Sequence, residues 1–137
     1  MSDKQVQDIN VKEKQNIRTY RDLQIWQKSH ELVRRVLYVC RKLPSNAETN
    51  VIKNQVLRAV TSIPANIAEG YGSHKGKGFV SYLRVARGTA TETDYWLYLL
   101  FDLGYLEDDT YNDLSELCTE EVLMLTSMIN KIAGNAH

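Results

Sequence analysis

The residues best placed to do chemistry lie in the stretch Gly70-Tyr71-Gly72-Ser73-His74-Lys75-Gly76-Lys77-Gly78. Glycine backbone amides beside His74, Lys75 and Lys77 can contact phosphate oxygens without reading a base. The stretch is not a phosphate-binding P-loop. No strand precedes it, and its one Gly-Lys pair, Gly76-Lys77, is followed by Gly78 rather than Ser or Thr. It is equally a helix connection carrying solubilising lysines. It gains interest because Arg84 and Arg87 follow on the next helical segment, and because Lys53 and Arg58 precede it. These seven residues, Lys53, Arg58, His74, Lys75, Lys77, Arg84 and Arg87, form a candidate nucleic-acid surface around one end of the fold.

Catalytic and metal chemistry finds less support. The three histidines, His30, His74 and His137, are not paired at helical spacing. No Glu-x-x-His occurs, which removes the usual di-metal carboxylate bundle. Cys40 and Cys118 fall in separate apolar patterns without a local ligand partner, so they read as buried thiols in a reducing compartment. Asp113, Glu116 and Glu120 share a helical face that reads as solvated surface. No metal, cofactor, catalytic residue or small-molecule substrate is expected, and the chain reads as a non-enzyme.

The elements that position these residues follow from hydrophobic spacing. With 43% hydrophobic and 25% charged residues, 137 residues suffice for one packed domain. Residues 1–19 read as a flexible polar arm, and 20–134 as the domain. Neither a secretion signal nor a membrane-length apolar run is present, so the cytoplasm is the expected location. A first helix is expected from Asp22 to Leu43, with Leu23, Trp26, His30, Val33, Leu37 and Cys40 facing inward. Trp26 is expected to anchor the core. Ser45 and Glu48 form a capping box for a second helix, which carries Ile52, Val56, Ala59, Ile63 and Ile67 and ends on a left-handed Gly70. Pro64 inside it deletes a backbone hydrogen bond and should kink it. A third helix runs from about Gly78 to Leu103, closed by Gly104. A fourth starts at the acidic turn Glu107-Asp108-Asp109, suited to a helix N-terminus. Short connections predict an all-α, antiparallel up-down-up-down four-helix bundle.

Two patterns go beyond a plain bundle. The third helix carries a core stripe through Phe79, Leu83, Ala86, Ala90 and Leu97, and a second stripe through Tyr82, Val85, Trp96, Leu99 and Leu103. A bundle helix buries one stripe, so the second is expected to meet another copy, or else to cover the arm or a loop. Polar residues also recur at helical spacing: Gln55, Arg58, Ser62, Asn66 and Glu69 on the second helix, and Arg84, Arg87, Thr91 and Asp94 on the third. They form a solvated face, a polar network of Asn66 and Glu69 in which Glu69 pairs Arg84 or Arg87 across helices or subunits, or a ligand site. Net charge is zero but uneven. Residues 1–88 hold 16 Lys/Arg against 7 Asp/Glu, a balance of +9, and residues 89–137 hold 1 against 10, a balance of −9. Such asymmetry suits a polyanion or subunit docking.

Three segments carry a resemblance: Tyr20-Arg21-Asp22-Leu23-Gln24-Ile25-Trp26-Gln27-Lys28, Ser62-Ile63-Pro64-Ala65-Asn66-Ile67-Ala68-Glu69-Gly70, and Tyr82-Leu83-Arg84-Val85-Ala86-Arg87-Gly88. In these, over residues 20–133, the chain resembles the four-helix-bundle family named after proteins encoded within intervening sequences of 23S ribosomal RNA genes. The resemblance implies a bacterial homopentamer with no established enzymatic activity. The family is similar in fold to the accessory variability protein of diversity-generating retroelements, a pentamer that binds a reverse transcriptase and RNA through a basic surface. By that analogy the partners would be further copies of this chain and RNA or a reverse-transcriptase-like protein. A protein-interaction scaffold with no nucleic-acid role is the alternative. The arm and the aromatic-rich run after Gly88 depart from the family pattern.

Overall fold

A computed structural model describes residues 17–73 and 76–134. Within them lie four long helices and no strand: α1 (Gln24–Lys42), α2 (Ala47–Ser73), α3 (Lys77–Asp102) and α4 (Asp108–Gly134). A short 3-10 turn, Tyr20–Asp22, leads into α1. Thr19 caps that turn, accepting from the Arg21 amide at 3.1 Å while Asp22 accepts from the Thr19 amide at 3.1 Å.

The helices pack against one another as in a bundle, and the contacts of α3 with α2 and with α4 run in reverse order along the chain. Arg58 of α2 meets Glu92 of α3, while Gly70 lies against Phe79 and Tyr82. Arg87 donates to Thr126 of α4 at 3.3 Å, and Tyr98 meets Tyr111 edge-on with ring centroids 5.9 Å apart. Lys28 of α1 pairs with Glu120 of α4. The core draws on every helix. Ile52, Val56, Ile63 and Ile67 of α2 meet Phe79, Leu83, Ala86 and Leu97 of α3, all buried as their spacing predicts.

Three local expectations change. The α2 cap shifts by one residue: Asn46 Oδ1 accepts from the Thr49 amide at 2.9 Å, and Thr49 Oγ1 accepts from the Asn46 amide at 3.1 Å. Ser45 instead donates to Asn50, and Glu48 accepts from the Tyr105 hydroxyl. The Asn-Thr pair wins because Thr49 also buries its side chain under the loop, donating to the Pro44 carbonyl at 2.6 Å.

Gly70 is not the left-handed end of α2. The helix continues to Ser73 with Pro64 inside it, while positive φ is confined to Gly76 and Gly104 among the described residues. A Cβ built on Gly70 would stand 2.6 Å from Tyr82 Cβ. The glycine is there for close helix approach. Gly104 (φ 86°) does end α3 as its type predicts, and the Tyr105 amide returns to the Leu100 carbonyl at 2.9 Å.

The buried stripe of α1 is also rotated. Ile25, Ser29, Leu32, Val33, Val36 and Cys40 face inward. Trp26 and Leu37 are half-buried, and His30 is exposed. Trp26 lies at the flank, stacked on His30 with centroids 4.7 Å apart and edge-on to Tyr20 at 5.2 Å. An aromatic residue dominates a periodicity count by size, yet the straight aliphatic set beside it makes the tighter core.

Candidate nucleic-acid interface

The proposed basic surface is built on α2 and α3. His74 and Lys75 lie outside the described residues. The other five do not gather at one end. Lys53 sits two turns into α2, near Cys40 at the α1–α2 end, whereas Lys77 opens α3 at the opposite end. Twenty residues of α2 separate Lys53 from Ser73, about 30 Å at the rise of an α-helix.

Their surroundings differ as well. Arg58 is ion-paired with Glu92, which also accepts from Trp96 Nε1 at 2.9 Å, and is further held by Gln55 at 3.1 Å. Arg87 is half-buried and turns to α4, donating to Thr126. Lys77 and Arg84 are exposed, and neither takes part in the three ion pairs made among the described residues. Lys53 joins none of these pairs either but is half-buried, so Lys77 and Arg84 are the exposed members of the set that can meet an anion without first breaking an ion pair.

Asn66 folds back on its own helix, donating to the Ser62 carbonyl at 2.7 Å and to Ser62 Oγ at 2.9 Å. Glu69 is exposed and pairs with neither Arg84 nor Arg87 within the chain. The second apolar stripe of α3 divides. Tyr82, Trp96 and Leu99 are half-buried, Tyr82 lying over Gly70 of α2. Val85 (50% exposed) and Leu103 (45%) face solvent, as do Tyr95 and Tyr98.

Two features escaped the reading of the sequence. The first is Glu121 on α4, with its side chain fully buried and both carboxylate oxygens without a hydrogen-bond partner among the described residues. Burial pushes its carboxyl up to about 8, with Lys28 pulling weakly the other way. Burial, then the charges of Asp94 and Glu121, pushes the neighbouring Cys118 thiol up to about 12. Cys40 rises to about 11 through burial, opposed by Lys53. Neither thiol is a nucleophile in the neutral range. A signal for Glu121 was present. Leu114, Cys118, Glu121, Leu125, Met128 and Ile132 share one helical stripe, and the acid sits in its middle.

The second is a groove of about 900 Å³ between the second half of α1 and the start of α4. Its α1 wall carries Arg34, Tyr38 and Arg41, and its α4 side carries Glu107 and Asp113. No group of three His, Cys, Asp or Glu residues among the described ones is arranged to hold a metal ion.

Comparison with protein families gives one decisive match. The model of the 23S rRNA-intervening sequence protein family covers residues 21–127. The chain belongs to this family. A crystal structure at 1.70 Å of a protein of unknown function from the S23 ribosomal protein family, from Bacteroides thetaiotaomicron, is also similar. It shares 32% identity with a TM-score of 0.71, covering 77% of this chain and 97% of the other. Comparison with curated proteins finds no match. Family membership gives meaning to the α2–α3 contact. The segments Ser62–Gly70 and Tyr82–Gly88, which carried the resemblance, meet where Tyr82 closes over Gly70. The glycine that ends the first of these segments therefore serves helix packing. No helix among the described residues is long and apolar enough to cross a membrane.

Proposed function

We propose that the protein is a non-catalytic, self-associating bundle that binds RNA or a nucleoprotein partner electrostatically, in the cytoplasm. The observation that carries this reading is the segregation of charge, +9 over residues 1–88 against −9 over residues 89–137. Only a few of the cations are neutralised locally: Lys28, Arg35 and Arg58 have carboxylate partners, while Lys77 and Arg84 have none among the described residues. Exposed Val85, Tyr95, Tyr98 and Leu103 on α3 support self-association, since aromatic residues are enriched in interface cores. The family resemblance adds a pentamer as the expected assembly. Repeating a weak basic patch in each subunit raises avidity without new contacts.

Protein purified in low salt and examined for its absorbance ratio and its mass by light scattering tests both halves of this reading. Retained nucleic acid, an oligomer, and RNA affinity falling steeply between about 50 and 200 mM salt are the expected results. Salt-independent binding, or no binding at micromolar protein, removes the RNA half. A monomer removes the assembly half. A scaffold with no nucleic-acid role is favoured instead if Arg84→Glu dissolves the oligomer, because Arg84 then serves subunit docking.

A further inference from the structure

The groove between α1 and α4 has lips of opposite charge. It runs along α1 from Glu31 to Leu43, about 18 Å of helix. On the basic lip Arg34, Tyr38 and Arg41 stand at i, i+4 and i+7, so one face presents two guanidiniums two turns apart with a phenol ring between them. Arg35 is tied to Glu31 at 3.0 Å, but Arg34 and Arg41 join none of the ion pairs made among the described residues. Tyr38 is 56% exposed, and the Lys42 ammonium lies 4.2 Å from its ring centroid. Across the groove, Asp113 is exposed on the α4 side, and Leu37 and Leu114 supply apolar surface. Toward the start of α1 the Lys28–Glu120 pair joins the two helices.

We propose that this groove seats a short single-stranded stretch of nucleic acid, with phosphates on Arg34 and Arg41, a base against Tyr38, and a base amino group donating to Asp113. The proposal rests on the nucleic-acid reading above and moves the contact from the α2–α3 surface to α1. The pattern of charge favours this occupant. A uniformly acidic ligand gains at the arginines and is repelled at Asp113. An apolar helix fills the floor and leaves two guanidiniums beside it unpaired. A nucleotide carries anionic oxygens on one edge and N–H donors on another, which matches lips of opposite sign. A charged track beside an exposed aromatic ring is also how sequence-tolerant single-strand binding is usually built.

Fluorescence anisotropy on the full chain tests it, with fluorescein-labelled oligocytidine and oligouridine as probes. Arg34→Gln with Arg41→Gln is expected to weaken oligocytidine binding about tenfold or more. Arg18→Gln with Arg21→Gln removes the same charge from exposed positions at the other end of α1, and a loss of about threefold or less is expected from diffuse electrostatics alone. Cytosine offers an exocyclic amine that uracil lacks, so oligocytidine should bind more tightly, and Asp113→Ala, which removes the accepting oxygens, should erase that preference. All these side chains are exposed, and unchanged thermal melting verifies the fold of each variant. Equal losses in the two double variants, or none at Arg34 and Arg41, overturn the groove while leaving nucleic-acid binding intact. No binding by the unaltered protein overturns both. A change of oligomer mass in the Arg34/Arg41 variant assigns the groove to a second copy and also overturns the proposal.

Discussion

The seam between α2 and α3 and the seam between α1 and α4 are built from different kinds of residue, to opposite ends. At the first, a missing side chain lets two backbones close: Gly70 leaves room for Tyr82, and a Cβ there would be 2.6 Å from its neighbour. At the second, Lys28 and Glu120 hold one part together, while long charged side chains flank an opening of about 900 Å³. Small residues permit contact, whereas arginines and acids keep their charged ends in water and hold a surface open. Two of the three segments that carry the resemblance meet at the closed seam, whereas Lys28 of the third reaches across the open one.

The comparison can be broken by substitution. The largest effect is expected in the core beneath the closed seam: Ile67→Ala should cost about 2–5 kcal/mol by urea denaturation, against about 1–2 kcal/mol for half-buried Leu37→Ala at the groove. Equal costs would mean the open seam is as tightly packed as the other.

Glu121 comes next. Its folded carboxyl titrates near 8, above the ordinary carboxylate range, so at intermediate pH the folded protein holds a proton that the unfolded chain has released. Stability from this group is therefore full at acid pH, falls as pH rises from about 4.5 to about 8, and levels off above that. Glu121→Gln should flatten the fall, gaining on the order of a few kcal/mol over wild type between pH 5 and 8. Parallel stability curves for the two proteins would show that the acid is solvated.

Gly70→Ala should destabilise by about 1–3 kcal/mol, because the contacted atom is a Cβ with no freedom to swing away. Gly72→Ala, in the same helix and with nothing within 4 Å, should be neutral or stabilise by up to about 1 kcal/mol. A harmless Gly70→Ala would refute close approach as its role. Trp26→Ala follows at about 1–3 kcal/mol, below the usual cost for a fully buried tryptophan because the ring is only half-buried. Smallest of all, Arg34→Gln and Arg41→Gln should leave the unfolding free energy within about 0.5 kcal/mol of wild type by urea denaturation, since each side chain is exposed and joins no ion pair among the described residues.

Much of the fold is legible in the residues. The α2 stripe from Ile52 to Ile67 and the α3 stripe from Phe79 to Leu97 point inward as their spacing requires. Gly104 ends α3 for the reason its type suggests. The errors are physical too. His30 beside Trp26 extends an apparent stripe because both are large, although the aliphatic row a third of a turn away buries better. Glu121 looks like surface because acids usually are, and only its place between Cys118 and Leu125 says otherwise. The α1–α4 groove could not be read at all, since its walls lie more than sixty residues apart in the chain.

Local periodicity and capping chemistry determined by themselves that this chain makes four helices with apolar faces, and family motifs determined which relatives share them. Those are interactions within a few turns, so the linear order of residues contains them. Tertiary structure decided which polar groups are satisfied and which are stranded: Arg58 on Glu92, Arg87 on Thr126, Glu121 without a partner, Arg34 and Arg41 at an open seam. Those outcomes depend on the rotation of each helix about its axis. That rotation is set by the summed fit of all four apolar faces, and no single segment contains it.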